Sequence, residues 1–293
     1  MAESVSTTFT FNSDKTIPKI ALGTWQAAGS ELHSAVSTAV KAGYRSIDTA
    51  EVYENEQQIG DALKEIYDQG VVAREDLFLT SKVYNDHHDP EKLRTACEES
   101  MKKLGTNYLD LYLIHWPISG NDDFGFVEFD YVPLSKTWAA MEKLVDDGLV
   151  KSIGVCNFNV QLLLDLLSYA RIKPAVVQIE LHPYYPQPEF VTWLQSQGIQ
   201  CEALSPLSVV NIPGIPKPEH EPLFETTVVK ELAEKHSKTP AQIVLAWNIA
   251  RGVRVLPKSI TKSHIDENLG ALEVKLSQDD ISKIDALTFR MRI

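Results

Sequence analysis

Four side chains of unlike chemistry, Asp48, Tyr53, Lys82 and His115, lie in or just beyond short apolar runs. Together they could protonate a carbonyl oxygen. A free phenol, with a pKa of about 10, is a poor acid at neutral pH. An ammonium beside it favours the phenolate and lowers that pKa, so Lys82 would tune Tyr53 while Asp48 holds Lys82 in place. His115 would then orient the substrate oxygen toward the phenol. Taken singly, each residue has a duller explanation. The Asp of Asp48-Thr49-Ala50 suits a turn or cap, and Lys82 could snorkel to the surface. His115, between Ile114 and Trp116, could be a satisfied core histidine, and Tyr53 alone is unremarkable. The set acquires meaning only if the fold brings its members together.

The elements that must do so alternate in hydrophobic period. Residues 20–25, 46–50, 77–83, 109–116, 152–157, 176–181, 201–206 and 254–259 are short apolar runs of the kind found in buried parallel strands. Between them, residues 55–70, 89–105, 133–148, 159–170, 187–198 and 239–252 have helical patterning. The second of these puts Leu93, Cys97 and Met101 on one face and stops at Gly105. The first opens with Asn55 and has Gln58 three residues on, as in a capping box. Strands alternating with helices predict a doubly wound sheet or a closed barrel. Even spacing without a linker favours an α/β fold of the parallel (β/α)8 TIM-barrel type, one domain over residues 1–293. Residues 7–11 and 16–19 would form an N-terminal β-hairpin closing the barrel's bottom, and a C-terminal accessory helix would come after the last strand. Residues 209–226, with four prolines, would be an ordered loop over the mouth.

Catalytic groups of such barrels collect at the C-terminal strand ends. Strand two would end at Asp48 with Tyr53 in its loop, strand three near Lys82 and strand four near His115. Strand five ends with Asn157, strand six carries Gln178 and Glu180, and strand eight ends with Lys258 and Ser259. Polar groups in buried strands cost free energy, so packing alone explains this crowding poorly.

Composition removes several classes. With 40 acidic and 28 basic residues the net charge is −12, which repels phosphate backbones and argues against nucleic acid. Three cysteines, Cys97, Cys156 and Cys201, suit neither a disulfide framework nor a zinc site and fit a reducing compartment. A polar N-terminal stretch and the lack of any apolar run near the ~20 residues that span a bilayer point to a cytoplasmic enzyme without membrane attachment. There is no CxxC or HExxH, so no metal is expected, and no GxSxG elbow. Without GxGxxG, a nicotinamide cofactor would not be held in Rossmann fashion. A monomer is expected, with a dimer as the alternative.

The motifs GTWQ (23–26), DTAEVYENE (48–56), SKV (81–83), LIHWP (113–117), IGVCNF (153–158), QIELHP (178–183), ALSPL (203–207) and PKSITKSHIDEN (257–268) resemble the aldo-keto reductase family over essentially the whole length, nearest its xylose reductase and aldose reductase branch. The resemblance implies a catalytic tetrad of Asp48, Tyr53, Lys82 and His115. It also implies hydride transfer from NADPH to an aldehyde or ketone, with aldoses or xylose among the possible substrates. It places Asn157 and Gln178 at the nicotinamide carboxamide, Ser205 and Leu207 along the pyrophosphate, and Thr24 and Asp48 also among the cofactor-binding residues. Lys258, Ser259 and Thr261 would hold the 2′-phosphate, Glu267 and Asn268 the adenine. Trp25 and Trp116, with His115, would wall the substrate pocket.

Three positions depart from the family pattern. Leu204 stands where a tyrosine usually stacks on the nicotinamide, which predicts a weaker aliphatic contact. Cys156 replaces a serine and is a poorer partner for the carboxamide. His264 replaces an arginine, so an always-charged bidentate fork gives way to an imidazole; NADPH is expected, with NADH as the alternative. The loop of residues 118–132 is shorter than in xylose reductases, and the short tail ending at Ile293 suggests a more open pocket, with Asp122 and Asp123 at its rim. The competing readings are a ketone-selective reductase of hydroxysteroid- or prostaglandin-like substrates and a non-catalytic NADPH-binding subunit.

Overall fold

The computed structural model describes residues 6–11, 15–123, 126–208 and 221–292, with the backbone alone for 121–123 and 126–128. The strands β1 (Thr8–Phe11) and β2 (Lys15–Pro18) pair antiparallel as the expected hairpin. Then come β3 (Leu22–Gly23), α1 (Gly29–Ala42), β4 (Ser46–Asp48), α2 (Glu56–Asp68), β5 (Phe78–Val83), α3 (Pro90–Leu104) and β6 (Leu111–Ile114). A second hairpin, β7 (Gly120–Asp123) with β8 (Phe126–Phe129), leads into α4 (Leu134–Asp146). The repeat resumes with β9 (Ile153–Cys156), α5 (Val160–Tyr169), β10 (Val176–Glu180), α6 (Pro188–Ser196) and β11 (Gln200–Leu204). It ends with α7 (Thr227–His236), α8 (Pro240–Ala250), β12 (Arg254–Val255), α9 (Lys262–Leu269) and α10 (Gln278–Asp285).

Eight strands form one parallel sheet in the order β3-β4-β5-β6-β9-β10-β11-β12. Its two edges meet: Ala21 N donates to Val255 O at 3.0 Å and Gly23 N to Pro257 O at 3.1 Å. The sheet therefore curls as the sequence reading of a (β/α)8 barrel requires. The seam needs glycine, since a Cβ on Gly23 would lie 2.8 Å from Leu256 O. Phe11 and Ile17 from the N-terminal hairpin pack with Leu111, Leu113, Ala175 and Val176, plugging the bottom. The accessory helix α10 buries Ile284 against Leu232, Ile243 and Trp247. Among the described residues no helix is long and apolar enough to cross a membrane.

Local chemistry sets the helix ends. Asp89 accepts from Glu91 N at the start of α3, Pro90 opens it, and Gly105 closes it in the left-handed conformation. Thr239 and Gln242 form a full capping box on α8. The box expected at Asn55 does not form, because that side chain is used elsewhere. Most strands are shorter than their apolar runs, since the polar C-terminal ends leave the ladder to build loops. Residues 118–132, expected as a loop, contain the second hairpin, in which a β-prone Phe126–Phe129 run pairs with the polar Gly120–Asp123. Of the expected mouth loop, residues 209–220 lie outside the described residues. Its remainder holds a single 3-10 turn, Leu223–Glu225, and Thr226, which caps α7 by accepting from Val229 N.

Candidate active site

The barrel brings the four predicted residues together. Asp48 ends β4, and its Oδ1 accepts from Lys82 Nζ at 2.6 Å. Lys82, fully buried on β5, also donates to Thr49 O at 2.8 Å. Tyr53 closes the 3-10 turn Glu51–Tyr53, which Glu54 terminates in the left-handed conformation. Its ring lies 5.1 Å from Lys82 Nζ and meets the His115 ring edge-on, with centroids 5.6 Å apart. Tyr84 flanks His115 in the same manner at 5.7 Å.

Electrostatics corrects one expectation. Burial dominates at Tyr53 and pushes its phenol up to about 12; the charge and hydrogen bond of Lys82 pull it down, and Asp48 pushes it up. Lys82 thus does not bring the phenol below its ordinary value, because desolvation outweighs the cation. At neutral pH Tyr53 carries its proton. Burial also works against the charge on Lys82, yet Asp48 and Tyr53 leave its pKa above the ordinary lysine value. Burial and the Lys82 charge drive His115 well below the ordinary histidine value, so its imidazole is neutral. A neutral imidazole can donate one N–H to an oxygen without bringing a charge with it.

A cavity of about 1700 Å³ opens over this group. Thr24, Trp25, Asp48, Tyr53, His115 and Trp116 line it from the β3, β4 and β6 ends. Asn157, Gln178, Leu204, Ser205 and Leu207 line it from the β9, β10 and β11 ends, and Lys258, Ser259, His264, Glu267 and Asn268 from β12 and α9. Three predicted residues do not line it. Lys82 lies beneath it. Cys156 is buried, 3.6 Å from Gln178 Oε1 and 3.3 Å from Asn157 Nδ2, so it touches two cavity-lining residues instead of the cavity itself. Thr261 occupies the N-cap position of α9, its N–H given to Ser259 Oγ. Thr24 does line the cavity, with its hydroxyl donated to Asp48 O at 2.9 Å. Asn157 (φ 63°) and Ser205 (φ 46°) hold left-handed backbone, which non-glycine residues adopt at a cost.

Other contributors escape sequence reasoning. Asn55 is buried, and its Nδ2 donates to Thr24 O and Ala27 O, both at 2.9 Å, while Oδ1 accepts from Thr49 Oγ1. It ties the loop carrying Trp25 to the turn carrying Tyr53; its only sequence signal resembles a helix cap. Phe190 and Trp193 of α6 also face the cavity. So does Arg292: the tail expected to leave the pocket open is held by Met291 N donating to Tyr184 O at 2.9 Å. The side chains of Asp122 and Asp123 lie outside the described residues.

A nicotinamide dinucleotide fits this donor set. Both Nε2 hydrogens of Gln178 go to carboxylates, at Asp48 and Glu202, which leaves its Oε1 as an acceptor beside the cavity. At the α9 side of an acidic chain, Lys258 forms no ion pair among the described residues and can meet an anion.

Fold and site together define a class. The sequence model of the Aldo/keto reductase family matches residues 19–288, and the chain belongs to that family of oxidoreductases. Among particular proteins, it is 43% identical to Aldose reductase B of Dictyostelium discoideum over 300 residues, covering 97% of this chain and 94% of that one. It is 39% identical to the NADPH-dependent D-xylose reductase of Meyerozyma guilliermondii over 304 residues, covering 97% and 95%. The solved aldose reductase from Schistosoma japonicum shares the fold at a TM-score of 0.89 and 40% identity, over 96% of this chain and 92% of that one.

Proposed function

We propose that the chain reduces aldehydes to alcohols with NADPH, with Tyr53 as the general acid. The observation that carries this is a protonated phenol set between a buried Lys82–Asp48 pair and a neutral His115 at the floor of a large cavity. The cofactor, when bound, supplies the hydride. Gln178 and Asn157 would hold its carboxamide, Leu204 would contact the ring, and Ser205 and Leu207 would follow the pyrophosphate. Lys258, Ser259, Thr261 and His264 would face the 2′-phosphate, and Glu267 and Asn268 the adenine.

The substrate oxygen would accept from the neutral His115 imidazole and from Tyr53, between the apolar walls of Trp25 and Trp116. Transfer of the phenol proton leaves a phenolate in a desolvated site. Lys82 offsets that cost with its charge, and Asp48 keeps the ammonium in place. The Lys–Asp pair thus acts mainly on the developing anion, because the resting phenol is held high by burial. Two relatives named as aldose and D-xylose reductases support sugar aldehydes among the substrates.

Lys258 favours NADPH, whereas His264 in place of a fixed cation weakens that preference. Measured kcat/KM should favour NADPH over NADH; a preference for NADH of about tenfold would overturn the cofactor assignment. A panel of xylose, glyceraldehyde, nitrobenzaldehyde and a bulky ketone should show the aldehydes turned over fastest.

A further inference from the structure

We propose that Glu202 and Arg254, an ion pair sealed inside the barrel, are positioning residues that fix the orientation of the Gln178 amide, so that the site selects a cofactor ring bearing an N–H donor. The inference rests on the nicotinamide reading of the cavity.

Glu202 on β11 and Arg254 on β12 are register neighbours, and neither has any solvent exposure. Arg254 is immobilised from several sides. Its Nε donates to Pro18 O at 2.8 Å, its terminal nitrogens donate to Glu202 Oε1 and Ser46 Oγ, and its guanidinium lies 5.4 Å from the Phe78 ring centroid. Only the second oxygen of Glu202 is then turned upward. That Oε2 accepts from Gln178 Nε2 at 2.9 Å, across the β10–β11 register. The same nitrogen donates to Asp48 Oδ2 at 3.0 Å.

Carboxylates accept hydrogen bonds and cannot donate them. Both amide hydrogens of Gln178 are therefore committed downward, and the reversed amide would set Oε1 against two anions. The group left for the ligand is Oε1, whose protein partner is the weak thiol donor of Cys156 at 3.6 Å. A primary carboxamide can donate to that oxygen; a methyl ketone cannot.

The test is calorimetric titration with NADPH and with its reduced 3-acetylpyridine analogue, in which a methyl group replaces the amide NH2. Wild type should bind the analogue roughly tenfold more weakly, the loss of one hydrogen bond to a desolvated acceptor. Glu202→Met/Arg254→Met removes the ion pair as a unit, an exchange that buried pairs tolerate. The Gln178 amide would then be held by Asp48 Oδ2 alone, with one of its two hydrogens no longer committed, so the reversed amide becomes accessible. NADPH should bind about fivefold more weakly, and the preference over the analogue should shrink to about twofold. Glu202→Gln keeps the volume and decides the matter if the double variant does not fold. Arg254 would claim its oxygen and turn its NH2 toward Gln178, and the preference should fall likewise.

A merely structural role would lower the melting temperature or weaken both ligands equally, with the preference intact. A folded variant with the wild-type preference overturns the proposal, as does a wild type with no preference. Wild type that binds neither ligand would instead sink the nicotinamide reading itself.

Discussion

The barrel holds the same three residue types, Asp, Lys and Tyr, in clusters at both of its ends. At the C-terminal strand ends are Asp48, Lys82 and Tyr53; at the other end Tyr108 and Asp110 precede β6 and Lys151 precedes β9, joined by Arg74. Asp110 accepts from Arg74 at 2.9 Å, from Leu79 N at 3.0 Å and from Lys151 at 3.2 Å. Arg74 and Lys151 lie 4.0 and 3.8 Å from the Tyr108 ring centroid. Two differences separate these clusters. The upper lysine is fully buried and faces a phenol beside a neutral histidine and a cavity, whereas the lower one is 52% exposed on its side chain. The lower arginine spends its remaining donors on Thr106 Oγ1, Leu77 O and Tyr108 O, tying loops to the sheet. Residue types alone do not separate the two clusters; the cavity and the neutral histidine beside the upper phenol do.

The sharpest way to break this comparison is to remove one hydroxyl from each end. Tyr53→Phe should lower kcat/KM for aldehyde reduction by about 10³-fold or more, the scale of general acid catalysis. NADPH binding, by titration, should stay within about twofold, because the phenol is not among the groups assigned to hold the cofactor. Tyr108→Phe should leave kcat/KM within about twofold. Retention of most activity in Tyr53→Phe would remove the assigned acid and the contrast together.

The reverse asymmetry is expected for stability. Arg74→Met leaves Asp110 with Leu79 N and a half-exposed lysine, and frees two backbone carbonyls from their partner. Urea unfolding should show a loss of about 3 kcal/mol, the cost of breaking a largely buried pair. At temperatures where the variant is folded, kcat/KM should match wild type. A loss of activity beyond the unfolded fraction would mean that the lower cluster reaches the site.

Part of this contrast is legible in the sequence. The alternation of strand and helix periods narrows the fold to a doubly wound sheet or a barrel, even spacing favours the barrel, and polar residues ending apolar strands mark the upper cluster, because these signals are local. The roles that depend on distant partners are not visible. Asn55 resembles a helix cap, but its donors go to carbonyls of Thr24 and Ala27, some thirty residues away in sequence. Glu202 and Arg254 each look like a charged residue at a strand, and only the parallel register puts one against the other inside the barrel. Positions that depart from a family pattern are visible as departures, yet Cys156 contacts Gln178 and Asn157 instead of lining the cavity. The sign of the Tyr53 shift is hidden for a related reason: a nearby cation is readable from motif spacing, and the burial that outweighs it is not.

That sign sets the subtlest expectation, a pH profile. The phenol must carry its proton to act, and its folded value is raised by burial to about 12. Reduction should therefore be insensitive to Tyr53 ionisation as pH rises through the ordinary tyrosine range near 10, and fall only above it. At the acid side His115, held well below the ordinary histidine value, stays neutral, so no loss from its protonation is expected down to about pH 6. Measured as kcat/KM for aldehyde with NADPH saturating, the profile should be flat between about pH 6 and 9. Lys82→Met removes the cation that pulls the phenol down, so its weaker activity should show an alkaline limb at still higher pH. An alkaline limb near pH 8 in wild type would mean that Lys82 outweighs desolvation once the cofactor is bound. The lysine would then act on the resting acid as well as on the anion it leaves behind.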